Sequence, residues 1–365
     1  MKYMVIISFI TSLFFKSNLE TQFDIAGKNK SEIKKALKRV PKEQFKGMLF
    51  IIKNMPNEDL KSLRSDFLLR NSNNAYHSWK NSLWQDQVSE ELYLNYILPY
   101  ANLNEKREDW FEILNKESSL IIKNTNSISE AVVLLNKNIF KKLNVVYSTE
   151  RPKADQSPSE SIKAGMATCT GLSILLINAC RSVGIPARFV GTPMWYNNSG
   201  NHSWVEIWDN GWHYVGAAEQ VEDKLNDVWF LENASKAIAD DIKYGIFAAV
   251  WPKTETHFPM NWLPEVKTYN SIDVTGNYRI EKVVTDLIPV RIRAIGQGGK
   301  RSSIDISVKD QNKIIFQGLS KNEENDINDH LTVMLEKGKT FSFETSFDKK
   351  NLSVEEGLLI DFIIK

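Results

Sequence analysis

The chain has 365 residues, 42% of them hydrophobic and 25% charged, which is enough apolar material and length for two or three packed domains and excludes a disordered chain. Lysine and arginine number 46 against 45 aspartates and glutamates, a formal charge of +1. No overall field therefore draws the molecule to nucleic acid or anionic lipid, and no nucleic-acid partner is expected.

Residues 1–22 read as a signal peptide. Lys2 precedes an apolar run from Met4 to Phe15, broken by Ser8, Thr11 and Ser12 and closed by Lys16, the positive start and short apolar centre of an export signal. The run is shorter than the roughly 20 residues that a membrane-spanning helix needs. The expectation is an exported protein, periplasmic or extracellular, with no stable membrane insertion after cleavage, although a small-x-small cleavage site is missing.

Residues 23–125 form an expected N-terminal helical region. Ser31 opens a pattern of spaced apolar positions, and Ser89 to Leu98 and Ser129 to Leu143 repeat it. Ser148 to Ser161 is polar, holds two prolines and reads as a surface loop. A helix from Cys169, apolar nearly all round, then runs to Gly184 and meets Pro186.

The two cysteines are Cys169 and Cys180. An exported chain invites a disulfide, but their separation along one helix is about 16 Å, against the roughly 7 Å between Cα atoms that a disulfide spans. At least one free thiol therefore needs a chemical explanation. Cys169, in the first turn, meets the positive end of the helix dipole and backbone N–H groups that favour thiolate, and Gly165, Ala167, Thr168 and Gly171 leave room for a substrate beside it. Cys180 sits mid-helix and reads as packing.

A strand over Ala187 to Val190 and an exposed Asn197 to Gly200 loop come next. His202 to Trp208 and Trp212 to Ala217 then read as a hairpin about Asp209-Asn210-Gly211, with His202 at its root. With a two-residue turn, Asp209 faces Trp212 and His202 falls opposite Glu219. His202 is the candidate base for Cys169, and Glu219 the candidate group that orients its imidazole, with Asp209 and Glu206 as weaker alternatives.

Cys169 opening a helix that ends in Gly184-Ile185-Pro186-Ala187-Arg188, then His202-Ser203-Trp204-Val205-Glu206 and Gly211-Trp212, resembles the transglutaminase-like core of transglutaminases, peptide N-glycanases and many bacterial cysteine hydrolases. The resemblance covers about residues 130–220. It implies Cys169 as nucleophile and His202 as catalytic histidine. The family's third residue, an aspartate four positions after the tryptophan of the return strand, is replaced here by Gly216. Glu219 is the substitute, similar to the glutamate that follows the aspartate in peptide N-glycanases.

By analogy with papain-like enzymes, Gln156 supplies an oxyanion donor beside the Cys169 N–H. Trp195 and Trp204 are expected on the substrate cleft, as packing and wall more than as a sugar platform. His213 and His257 are assigned to structure. No cofactor is implied: Cys169, Cys180, His202 and His213 lack the spacing of a zinc site, and no D-x-D-x-D-G calcium loop is present.

Residues 270–365 show short alternating runs between Gly, Asn, Asp and Lys clusters and read as a β-sandwich. The expected architecture is α+β: the N-terminal helical region, a papain-like transglutaminase core at 126–265 and the C-terminal β-sandwich domain. The expected activity is cysteine-dependent acyl transfer on amides of a peptide, protein or glycopeptide substrate, with hydrolysis favoured over crosslinking. The alternatives are a non-catalytic peptide- or glycan-binding module, or an assembly protein whose sandwich makes the contacts.

Overall fold

The computed structural model describes residues 19–219, 224–279 and 287–364. The expected signal peptide lies largely outside the described residues. Leu19 is buried and helix α1 (Glu20–Ala26) joins the main core, so a boundary at 22 cuts into folded structure. No helix among the described residues is long and apolar enough to cross a membrane.

The N-terminal region is helical, with α2 (Lys30–Arg39), α3 (Phe45–Asn54), α4 (Asn57–Ser62), α5 (Ser65–Lys80), α6 (Glu90–Tyr96), α7 (Phe111–Ile121) and α8 (Ile128–Lys142). Ser89 and Ser127 cap α6 and α8 by accepting from the N–H groups of Leu92 and Glu130, which satisfies donors that a helix start leaves unpaired. One continuous apolar cluster runs from Leu19 to Met260, so these helices share a core with the segment that carries Cys169 and His202.

Strand β1 (Val146–Tyr147) pairs with β2 (Met166–Ala167). Between them, Pro158–Ala164 is helical (α9), where the sequence suggests a loop as far as Ser161. The missed signal is Ser157-Pro158-Ser159-Glu160. Ser157 caps the helix, Glu160 reaches back to the Ser157 N–H, and proline takes the first helical position. Helix α10 (Cys169–Ser182) is buried along its whole length. Burial of each leucine, such as Leu172, Leu175 or Leu176, contributes about 2 kcal/mol, so Leu175→Ala would loosen the element that carries Cys169.

The N-terminal helices hold the far end of α10. Ser78 and Asn115 donate to the Ser182 carbonyl, and Trp84 donates to that of Gly184. Arg181, fully buried, spreads its guanidinium over the carbonyls of Tyr96, Pro99, Ala101 and Ala187, while burial lowers its pKa to about 10. Anchored there, α10 presents its N-terminal turn to the cleft.

The central sheet has the order β5-β4-β3-β6-β8-β7 and is antiparallel, with β3 (Ala187–Thr192), β4 (His202–Trp208), β5 (Trp212–Val215), β6 (Phe247–Ala249), β7 (Thr256–His257) and β8 (Asn270–Asp273). Residues 270–273 thus belong to this sheet and not to the C-terminal domain as expected. Their successor Tyr278 donates to Glu206 at 2.6 Å.

The hairpin register differs by one from the sequence count. Trp208, not Asp209, faces Trp212, because the loop holds three residues, with Asn210 left-handed at φ 55° and the Asp209 N–H donating to the Gly211 carbonyl.

The C-terminal domain packs two sheets around one apolar cluster. One has the order β11-β10-β13-β14, from β10 (Asp305–Asp310), β11 (Lys313–Leu319), β13 (Thr340–Glu344) and β14 (Lys349–Ser353). The other has β9 (Leu287–Ile295) between β12 (Leu331–Glu336) and β15 (Leu358–Ile363). Val290, Ile306, Phe343 and Phe362 alternate inward with solvated neighbours, the period of two that a half-buried strand requires. The β11–β12 connection is the part of this domain that reaches the cleft.

Candidate active site

Thr168 occupies the cap position of α10 but makes no side-chain capping bond. The N–H groups of the first turn, which have no carbonyl one turn back, therefore remain for a ligand at Cys169. Cys169 is 7% exposed and lines a cleft of about 390 Å³ with Thr168, Thr170, Asn201, Asp326 and Asn328. A somewhat larger groove, about 450 Å³, lies by α5 and α7, and no cysteine or carboxylate is among the described residues that line it.

His202 opens β4 opposite Thr192 and is 1% exposed. Its ring lies 5.8 Å from that of Trp204 and 4.8 Å from that of Phe230, so the imidazole has little freedom to turn. Nε2 lies 3.2 Å from Glu219 Oε2, which also accepts from Trp229 Nε1 at 2.9 Å. Glu219 orients the ring by accepting a hydrogen bond from Nε2–H, and Nδ1 is left toward the reacting side.

Glu219 reaches His202 without the ladder pairing that the sequence count assumed. After Val215 the chain turns: Ala218 is left-handed at φ 64° and the Glu219 N–H donates to the Gly216 carbonyl. Asn136 of α8 clamps this turn, giving its amide to Gly216 O and taking the Ala218 N–H. A Cβ placed on Gly216 would lie 2.4 Å from Glu219 Oε2. The glutamate carboxylate thus fills the space that an aspartate at 216 would need.

The weaker candidates are occupied elsewhere. Asp209 accepts from the backbone and hydroxyl of Ser129. Glu206 pairs with Arg188 in a buried ion pair at 2.5 Å and accepts from Tyr278. His213 bonds Asp209 O and Asn226, a structural placement.

Gln156 does not serve as expected. It is buried, and its Nε2 donates to the carbonyls of Met166 at 3.0 Å and Glu160 at 3.4 Å, which commits both amide protons away from Cys169. Trp195 and Trp204 are fully buried behind His202, stacked at 6.2 Å, and Trp204 donates to Tyr278. They support the imidazole and do not line the cleft.

Asp326, from the β11–β12 connection, was not singled out in the sequence. A ligand atom of each of Cys169, His202 and Asp326 lies within 4.8 Å of the others, and Asp326 Oδ2 is 3.6 Å from His202 Nδ1. The polar stretch Lys321 to Asp329 reads as a turn, and nothing local ties it to a cysteine so far away in the chain.

The electrostatics come from burial and neighbours. Burial opposes a charged imidazole, but the Glu219 and Asp326 carboxylates outweigh it and hold His202 well above the usual histidine range. Burial raises Glu219 against the pull of His202. For Asp326 burial is outweighed by His202 and by hydrogen bonds from Asn328, so its carboxyl lies below the ordinary range. Burial pushes Cys180 up to about 12, as suits an inert thiol.

Residues 118–217 match the model of the transglutaminase-like superfamily. No curated protein matches the chain. A solved structure from Cytophaga hutchinsonii, provisionally named a cysteine protease, is 20% identical with a TM-score of 0.30 over 40% of this chain and 50% of that one. Another, from Parabacteroides distasonis ATCC 8503 and provisionally named a protease, is 9% identical with a TM-score of 0.28 over 55% of this chain and 34% of that one. The chain therefore spans half or less of those two proteins, and likeness at that level says nothing about activity. The family match falls on the segment that carries α8, α10 and the β3–β5 strands, and this segment is a transglutaminase-like core.

Proposed function

We propose that the protein is a cysteine hydrolase acting on amide bonds of peptides or proteins, with Cys169 as nucleophile, His202 as proton carrier and Glu219 as the group that orients it. The observation that carries this reading is the Glu219 carboxylate on His202 Nε2, in the space left by Gly216. That contact leaves Nδ1 as the nitrogen that exchanges a proton with sulfur.

In the proposed reaction the Cys169 thiolate attacks the amide carbonyl. The tetrahedral intermediate collapses to a thioester as the imidazolium of His202 protonates the departing amine. Neutral His202 then takes a proton from water, whose oxygen attacks the thioester, and the sulfur leaves as the acid product forms. The free N–H groups of the first turn of α10 supply the oxyanion donors, in place of Gln156.

Hydrolysis is favoured over crosslinking because the cleft at Cys169 is lined largely by polar side chains, among them Thr168, Thr170, Asn201 and Asn328, which suit water as the acceptor. The leader-like start of the chain supports placement outside the cytoplasm, which fusion of residues 1–30 to an export reporter tests.

The test of function is incubation with a defined peptide mixture, with and without an added primary amine and with a glycosylated peptide included, read by mass spectrometry. Cleavage products absent from a Cys169→Ala control support the reading. Amine adducts in place of acids would shift it to transfer, and loss of a glycan alone to glycopeptide hydrolysis. Tight peptide binding with no product in either protein would favour a non-catalytic module.

A further inference from the structure

The β11–β12 connection is built to hold one carboxylate at the nucleophile. Arg301, 9% exposed, donates Nη1 to the carbonyls of Asp326 and Asp329 at 3.0 Å and Nη2 to that of Asn325 at 2.6 Å. The Ile327 N–H donates to Tyr147 Oη at 2.9 Å, and Asn328 donates to Asn201 O at 3.0 Å. Gly200 makes room for this docking, since a Cβ there would lie 2.6 Å from Asn328 Oδ1. Asp326 Oδ1 is taken by the Asn328 N–H at 2.9 Å and its amide at 3.3 Å. Oδ2 is left beside His202 Nδ1 at 3.6 Å, too long for a hydrogen bond.

This arrangement leaves a surplus of negative charge. A working pair needs a thiolate at Cys169 and an imidazolium at His202, which balance each other. Glu219 and Asp326 add two more carboxylates to the same buried imidazole, and a buried charge without a partner is costly. Asp326 also competes with the thiolate for Nδ1. A positive group entering the cleft would occupy Oδ2, offset the surplus and return Nδ1 to Cys169. Among the described residues, Arg151 is the one lysine or arginine lining the cleft, and its Nη1 is tied to the Thr149 carbonyl.

Resting on the cysteine-hydrolase reading, we propose that Asp326 of the C-terminal domain selects substrates bearing an ammonium group beside the amide under attack, from a free peptide N-terminus or an amino side chain. Asp326 is then a specificity-determining residue, and the C-terminal domain is part of the active site.

The experiment compares Cys169 modification by a trimethylammonium-bearing and a sulfonate-bearing methanethiosulfonate, each scaled to its rate with a small free thiol. The wild-type protein should favour the cationic reagent by about tenfold. Asp326→Asn should bring the ratio down toward that of the free thiol, and Arg151→Met should raise it. An Asp326→Asn ratio equal to wild type would overturn the proposal.

Should that variant not fold, protection of wild-type Cys169 from iodoacetamide decides. Ala-Ala-amide or acetyl-Lys-amide should slow labelling, and acetyl-Ala-Ala-amide should not; protection by the first or the second alone identifies the source of the ammonium group. Equal effects of charged and uncharged peptides would overturn the proposal. A charge ratio that responds to Asp326, with labelling that ignores His202→Ala, would sink the hydrolase reading and leave the ammonium subsite standing.

Discussion

The transglutaminase-like core and the C-terminal domain contribute to the same cleft in different ways. The core supplies Cys169 and His202 from the start of a helix and the start of a strand, positions set by local hydrogen bonding and by packing against Trp204 and Phe230. The C-terminal domain supplies Asp326 from an irregular connection, held by the buried guanidinium of Arg301 and by bonds to Tyr147 and Asn201. Residues on regular elements are placed by the fold as a whole. A residue on a loop is placed by whatever pins that loop, and the pin can be removed separately.

Substitutions can break or sharpen this contrast. The largest effect is expected in the core: His202→Ala should lower the rate of Cys169 alkylation near neutral pH about a hundredfold or more, read by mass-resolved labelling. Glu219→Gln should cost about tenfold to a hundredfold by losing the charge that supports the imidazolium.

A Gly216→Asp change in the wild-type background should lower folding stability, because its Cβ would meet Glu219 Oε2 at 2.4 Å. Combined with Glu219→Ala, the same change should recover part of the lost reactivity. If Gly216→Asp is tolerated equally with and without Glu219, the two carboxylates do not share that space.

In the C-terminal domain Arg301→Met should lower stability by about 2–4 kcal/mol, since three carbonyls lose a charged donor. It should reduce the discrimination between cationic and anionic reagents while leaving the His202 dependence of labelling intact. A smaller effect concerns His330, beside β12. Burial, reinforced by Arg293, Arg301 and Arg291, lowers its pKa to about 4. The unfolded chain therefore binds the proton more readily, and stability falls as pH drops from about 6.5 toward 4. A His330→Leu variant should flatten that part of the thermal-stability profile, and an unchanged slope would place the acid sensitivity elsewhere.

The sequence was most informative where chemistry depends on local pattern. The helix start at Cys169, the strand start at His202 and the β-rich C-terminal region are all legible in apolar spacing and turn residues. Glu219 was reached by a hairpin count off by one, because Asn210 makes a three-residue loop. The contact survives since the turn at Gly216 to Glu219, clamped by Asn136, sets the carboxylate in place of the strand pairing. Gln156, Trp195 and Trp204 were misplaced for a different reason: a side chain's polarity or size says what it can bond, not which neighbour claims it first. Asp326 carried no local signal, as its role depends on Tyr147, Asn201 and Arg301 meeting one loop from distant parts of the chain.

The most direct test of the central claim is the iodoacetamide alkylation rate of Cys169 across about pH 4 to 9, in the wild-type protein and in His202→Ala. The account predicts rapid labelling well below the ordinary thiol range in the wild type and its loss in the variant. Labelling of both proteins like an ordinary thiol, or of neither, would contradict it.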